Sequence, residues 1–142
     1  MKSKTILLMI ISVLVIGISW WLISPIFIIK EAYEPSLNSS DFISQGTFQP
    51  KAHDVQGKAL LIEQDGKKII RFEDFETING PDLRIYLAAD LEAEDYIDLG
   101  PIRATKGNIN YEIDSSIDTT KYNKLLVWCR AFSVLFSFAI LD

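Results

Sequence analysis

The feature that most constrains the fold is an uncharged segment near the N-terminus. Residues 6–29 include no charged side chain. As a helix rising ~1.5 Å per residue, the segment spans about 36 Å, which exceeds a hydrocarbon core of ~30 Å. A helix satisfies its own backbone hydrogen bonds in lipid. We therefore predict a transmembrane helix at residues 6–29, with Trp20 and Trp21 at the outer headgroup boundary.

A cleaved signal peptide is the alternative interpretation of this segment. A signal h-region is ~7–15 residues long and precedes a small-x-small cleavage site. The segment is longer, and residues 22–27 offer no such site, so an uncleaved signal anchor is favoured. One such segment predicts a single-pass protein of the cell membrane, and Lys2 and Lys4 before it predict its orientation by the positive-inside rule. Residues 1–5 would be cytoplasmic and the C-terminal part extracytoplasmic.

Residues 30–44 have the composition of a linker. Pro35 is followed by small polar residues, and no hydrophobic periodicity is sustained. Asn38-Ser39-Ser40 matches the N-glycosylation sequon, but such triplets also arise by chance, so glycosylation of Asn38 is left open. We expect this segment to tether the helix to a single domain at residues 45–142.

From Gln45 onward, hydrophobic residues recur at every second position within short segments. Asp65-Gly66 separates two of them and favours a two-residue hairpin turn. Similar segments follow at 83–87, 97–103, 108–113, 125–130 and 132–141. In the last one, a single face would carry Phe132, Val134, Phe136, Phe138 and Ile140. About seven short strands predict an all-β, antiparallel sandwich or barrel-like domain preceded by one transmembrane helix.

Charge and cysteine content exclude several kinds of function. The net charge is −5, and an acidic domain lacks the electrostatic footprint of a nucleic-acid-binding protein. The single cysteine excludes an internal disulfide, a cysteine-rich metal site and a c-type haem motif. No nucleophile–base–acid set can be assembled either, so a classical enzyme is not expected. The sequence predicts no metal site and names no cofactor.

Two polar segments have structural explanations. Asn79-Gly80-Pro81-Asp82 favours a turn between strands, in which Asp82 would cap backbone amides. Residues 90–98 carry clustered carboxylates, which can bind Ca²⁺. Their spacing is not that of an EF-hand loop, however, so a solvated acidic loop is favoured over a calcium site.

Several motifs between residues 45 and 141 resemble the DM13 family. They include Gly46-x-Phe48, Gly80-Pro81-Asp82-Leu83 and Trp128-Cys129-x-x-Phe132, in this order. Ser137 stands where family members carry glycine, and we expect only a local backbone adjustment there. The resemblance implies a β-sandwich on secreted or membrane-bound proteins, sometimes beside DOMON domains. It also implies electron transfer with Cys129 as the redox group.

Cys129 and His53 are therefore the candidate site residues. Cys129 is either a redox thiol or a small core residue on the face of Leu125 and Val127. His53 is the only histidine; a structural role is the commoner one, but it is also the candidate partner of the thiol. A redox module requires an accessible Cys129 near His53 or another cation. A non-catalytic cell-surface binding or adhesion module requires a buried Cys129.

Overall fold

The computed structural model describes residues 2–37 and 42–142. Helix α1 spans Lys2–Ile23 and a 3-10 turn spans Ser24–Phe27. Ser3–Ile23 is long and apolar enough to cross a membrane, judged by length and composition. The helix thus begins and ends earlier than predicted. Pro25 explains the end of the α-helix, because proline has no N–H to donate to the carbonyl four residues earlier.

The described residues also form ten strands in two five-stranded sheets. The first sheet has the order β1-β8-β5-β4-β2 and the second the order β3-β10-β9-β6-β7. The strands are β1 Glu31–Tyr33, β2 Phe42–Thr47, β3 Gln49–Pro50, β4 Val55–Gln64, β5 Lys67–Thr77, β6 Leu83–Ala88, β7 Tyr96–Pro101, β8 Lys106–Ile113, β9 Lys124–Cys129 and β10 Val134–Ile140. The β-rich fold and the hairpin at Asp65-Gly66 are confirmed.

Part of the segment expected to be a linker is a strand of the first sheet. β1 pairs in parallel with the start of β8, so that Ala32 lies opposite Gly107, whereas the other strand pairs are antiparallel. Gly107 has a φ of +117°, and a Cβ there would lie 1.9 Å from the Ala32 carbonyl oxygen. Only glycine lets the two strands approach this closely. The Asn38 sequon lies outside the described residues.

The two sheets share one core. Its fully buried members include Ile70 and Phe72 from the first sheet and Leu125 and Val127 from the second. The sheets also join along one edge, where the backbones of Gln45 and Asp142 exchange hydrogen bonds of 3.2 and 3.0 Å. Two layers around one core are the arrangement expected of a sandwich, and the joined edge is its barrel-like feature.

The expectation of a single aromatic face on the last strand is wrong. Leu135 pairs with Trp128 but Ser137 pairs with Val127, so β10 contains a bulge at Phe136. A bulge adds one unpaired residue and shifts the alternation beyond it. The side chains of Phe136, Ala139 and Leu141 consequently join the inner core, whereas Leu135 and Phe138 lie in the outer cluster. Phe132, in the turn before β10, is 54% exposed.

Candidate functional site

Chain segments from both sheets meet at the end of the domain next to α1, here called the proximal end. It comprises residues 28–30, 51–54, 77–82, 101–106 and 130–133. The carbonyl oxygen of Lys30 accepts hydrogen bonds from the backbone N–H groups of Thr105 and Lys106, at 2.8 and 3.1 Å. The side-chain amide of Asn79 donates to the carbonyl of Ile28 at 3.2 Å. The chain leaving α1 is therefore bonded directly to this end.

Cys129 is the last residue of β9 and is fully buried, with 0% exposure. It pairs with Leu83 of β6 and Val134 of β10, and it shares the core with Leu125 and Val127. Reactive cysteines lie in partly exposed, electropositive surroundings, whereas buried structural cysteines are inert. This geometry is the one that the core interpretation requires. The chemical role of Cys129 stays a prediction.

The contacts of His53 are with Phe136. The His53 ring packs on Phe136 with a centroid separation of 4.1 Å, and its backbone N–H donates to the Phe136 carbonyl at 3.2 Å. No hydrogen bond joins His53 to Cys129 within the part of the chain that the structure describes. The Phe136 ring also abuts Gly80, where a Cβ would meet it at 3.1 Å. Phe136 thus connects His53 to the Asn79–Asp82 turn.

The Asn79–Asp82 turn is closed by a different residue from the one expected. The side-chain oxygen of Asn79 accepts the N–H of Gly80 at 2.9 Å, so Asn79 does the local capping. The Asp82 carboxylate instead accepts a 2.7 Å hydrogen bond from Arg130 Nε, and its carbonyl accepts the Arg130 N–H at 2.9 Å. These contacts tie the residue after Cys129 to the neighbouring turn.

Two open cavities lie beside Ile28 at the proximal end. One, of about 320 Å³, is lined by Ile28, Val55, Thr77, Ile78 and Lys106 among others. The other, of about 270 Å³, is lined by Pro25, Lys30, Gly80 and Ile102 among others. Neither Cys129 nor His53 lines them. Among residues 2–37 and 42–142, no three His, Cys, Asp or Glu side chains converge as metal ligands.

The motifs around Asn79 and Cys129, which carry the family resemblance, are thus neighbours at the proximal end. The sequence matches the family described as Electron transfer DM13 over residues 47–141, which is more than half of the chain. The chain belongs to the DM13 family. No curated protein and no solved structure matches it significantly. The family resemblance drawn from the motifs is therefore confirmed, whereas the roles of single residues are not assigned by it.

The outer face of the second sheet in this DM13 domain carries an aromatic stack that the sequence analysis missed. Tyr86 stacks on Tyr96 with a centroid separation of 4.1 Å, and Trp128 lies 6.2 Å from Tyr86 on its other side. Burial, together with the nearby Tyr96, raises the pKa of the Tyr86 phenol. The sequence pattern that could have predicted this stack is the alternation along β6 and β9, because Tyr86 and Trp128 alternate with the core residues on these paired strands.

The opposite end of the DM13 domain, here called the distal end, comprises residues 65–66, 89–95 and 114–123. The Asp90 carboxylate accepts backbone N–H groups of Glu92 and Glu94 at 3.0 Å and of Asp95 at 3.1 Å. These hydrogen bonds, the one from Glu94 foremost, hold the pKa of Asp90 below its usual range. The Asp90 carboxylate is therefore hydrogen-bonded to backbone amides of its own loop, as is typical of a solvated acidic loop.

Proposed function

We propose that this protein holds a DM13 domain at the extracytoplasmic face of the cell membrane as a non-catalytic binding or adhesion module. The helix at residues 3–23 supplies the single membrane anchor, and Lys2 and Lys4 favour a cytoplasmic N-terminus. The complete burial of Cys129 is the observation that carries the choice of a binding module over a thiol-based one.

Burial limits access to the Cys129 sulfur. In thiol–disulfide exchange a thiolate attacks one sulfur of a disulfide and the other sulfur leaves as a thiolate, so the two reacting sulfur atoms must come into contact. Cys129 has β6 on one side and β10 on the other, and the Arg130–Asp82 ion pair holds the turn beyond it. A partner could reach the sulfur only after this end of the sandwich opens, so the folded domain keeps the thiol unreactive.

Thiol labelling of the full-length protein in detergent micelles tests the burial argument. We expect native Cys129 to react with a maleimide more than about a hundredfold slower than in urea, because labelling requires opening of the core. The matched control is Ala131→Cys in a Cys129→Ala background, since Ala131 lies two residues further on in the exposed turn. Its thiol should react at the rate of a free cysteine. Equal native rates for the two thiols would contradict the proposal.

Membrane anchorage and orientation need a separate test. The full-length protein should remain in the membrane pellet after alkaline carbonate treatment, whereas a variant lacking residues 2–23 should be released. In intact cells, an external protease should digest the domain at residues 45–142. Release of the full-length chain by carbonate, or full protection of the domain from the protease, would contradict this part of the proposal.

The family description favours electron transfer as a second candidate, with Cys129 as the redox group and His53 as its candidate partner. This candidate requires a sulfur that changes oxidation state in the folded protein. Native protein equilibrated in glutathione buffers of graded potential and analysed by mass spectrometry separates the two candidates. A mixed disulfide at Cys129 supports the redox candidate. An unmodified thiol at every potential supports the binding module.

A further inference from the structure

The connection between α1 and the domain is short and is itself hydrogen-bonded. It consists of the 3-10 turn Ser24–Phe27 and residues 28–30. With rises of ~2 Å per 3-10 residue and ~3.3 Å per extended residue, it reaches at most about 18 Å. The bonds of Ile28 to Asn79 and of Lys30 to Thr105 hold the connection to the proximal end. A bilayer spanned by α1 therefore has its headgroups at or just below this end of the domain.

Several exposed apolar side chains lie at the same end, although Phe42, Ile43 and Tyr96 are also exposed toward the distal end. Phe132, at the tip of the β9–β10 turn, is 54% exposed, and Ile78, directly after β5, is 38% exposed. Ile28 and Ile29 of the connection are 51% and 69% exposed. Ile28, Ile29 and Ile78 line one cavity. Phe132 lies in the turn that Arg130 ties to Asp82, so the exposed side chains at this end come from three separate segments of the chain. Apolar side chains at this depth would gain from burial in the headgroup layer.

The charged side chains differ between the two ends of the domain. At the proximal end, Arg130 pairs with Asp82 at 2.7 Å and Lys106 pairs with Glu76 at 3.4 Å. Carboxylates at residues 90–95 lie at the distal end. Where the outer leaflet contains anionic lipids, their repulsion of these carboxylates favours the orientation in which the proximal end faces the bilayer.

We propose that the proximal end is a membrane-contact surface, with Phe132 and Ile78 inserted into the headgroup layer of the bilayer that α1 spans. This inference rests on the proposed membrane anchorage. The occupant is lipid, because Ile28 and Lys30 are already bonded to the domain and only the 3-10 turn, about 8 Å long, separates α1 from them, which is less than the ~10 Å diameter of a helix. The domain consequently does not swing about its connection to α1, and it presents its distal end away from the bilayer.

Spin labels in proteoliposomes test the contact. The full-length protein, in a Cys129→Ala background, carries a nitroxide at Phe132→Cys, at Ile78→Cys or at Phe42→Cys. Phe42 is the matched control, because it is 48% exposed but lies at the distal start of β2. The vesicles contain phosphatidylcholine and phosphatidylglycerol. Power saturation then compares collisions with oxygen, which concentrates in lipid, and with a water-soluble nickel chelate.

We expect labels at positions 132 and 78 to collide several-fold more with oxygen, relative to nickel, than the label at position 42. Equal nickel accessibility at positions 132 and 42 would overturn the inference. Shielding of position 132 from both reagents would also overturn it, because protein contacts between copies, and not lipid, would then cover the surface.

A fourth label, at Val13→Cys within α1, separates this inference from the anchorage on which it rests. If position 13 lies in lipid while position 132 is as accessible to nickel as position 42, the anchorage stands and the contact surface is refuted. If position 13 is accessible to nickel, the anchorage itself fails and the inference falls with it.

Discussion

At the proximal end of the domain, backbone groups contact one another directly, whereas at the distal end exposed carboxylates hold the loops. Thr105 and Lys106 donate to the Lys30 carbonyl, and Gly107 lies against Ala32. At the distal end, Asp114 accepts Ser116 and Asp118 accepts Thr120, each through a side-chain oxygen. The backbone contacts at the proximal end leave no room for a side chain at Gly107, but they do not depend on pH. The carboxylate contacts at the distal end tolerate changes in the neighbouring sequence, but they require that the carboxylates be ionised.

The contrast explains how the domain could work at a membrane surface. An end that holds a fixed orientation needs contacts that neither salt nor pH weakens, and hydrogen bonds between backbone groups, which carry no charge, meet this need. Exposed loops held by carboxylates can vary in sequence without disturbing that orientation. We therefore expect substitutions at the two ends to differ in size and in pH dependence.

The largest expected effect is that of Gly107→Ala. The φ of +117° and the backbone oxygen of Ala32 at 1.9 Å both oppose a Cβ, so β1 must move away from β8. We expect a loss of about 3 kcal/mol or more in the free energy of unfolding, measured in urea. Gly66→Ala is the distal control, because Gly66 has a φ of +76° but no atom within 4 Å. It should cost only about 1 kcal/mol, and equal losses would remove the contrast between the ends.

A somewhat smaller effect is expected from Arg71→Met. The Arg71 guanidinium is buried and donates to the Pro35 carbonyl at 3.0 Å, to Asn110 at 2.9 Å and to Glu73 at 2.9 Å. Its loss leaves these acceptors without their donor and should cost about 3 kcal/mol. Hydrogen exchange should also become faster at residues 31–34, which this side chain holds to the first sheet.

The matched control for Arg71→Met is Lys67→Met. Lys67 pairs with Glu112 at 2.9 Å near the distal end, but each side chain is 61% exposed. Exposed ion pairs contribute little, so we expect almost no change in stability and no change in exchange at residues 31–34. A comparable loss in the control would show that ion pairing, and not burial, determines the effect.

A gain in stability is expected from a substitution of Ser137, which lies in the core between the two ends. Among the described side chains, Ser137 Oγ is buried without a hydrogen-bond partner. Ser137→Ala removes this unsatisfied hydroxyl and should stabilise the domain by about 1 kcal/mol in urea unfolding. Ser133→Ala, in the exposed turn, should change stability little. A loss of stability in Ser137→Ala would show that the hydroxyl has a partner in solution.

The smallest effect is the response to acid. Hydrogen bonds from Ser116 lower the pKa of Asp114, and those from Thr120 lower that of Asp118. For Asp95 the lowering comes first from Lys121 and then from Tyr122. Because the folded-state pKa values lie below the unfolded ones, this stabilisation is present above about pH 4 and is lost as the pH falls through the folded values.

Hydrogen exchange at graded pH, corrected for the intrinsic rate, measures this response. Below about pH 4, exchange should rise at residues 89–95 and 114–123 while the proximal end stays protected. Asp95→Asn should reduce the acid response of the 89–95 loop. A simultaneous loss of protection at both ends would show that the acid response is global and not confined to the exposed carboxylates.

Much of the architecture was predictable because it follows from local pattern. The apolar helix depends on composition, the hairpin on Asp65-Gly66, and β6 on the alternation of Leu83, Ile85 and Leu87. The family followed from motifs read in order along one chain. All of these are properties of neighbouring residues, which a sequence states directly.

The tertiary structure alone decided how distant segments fit together. Strand β1 is too short to show a period, and it exists because residues 106–108 offer it an edge. The bulge at Phe136 is a matter of register with β9, so an unbroken alternation in the sequence conceals it. The same register encloses Cys129 in the core and places His53 on Phe136, because burial depends on which strands lie alongside.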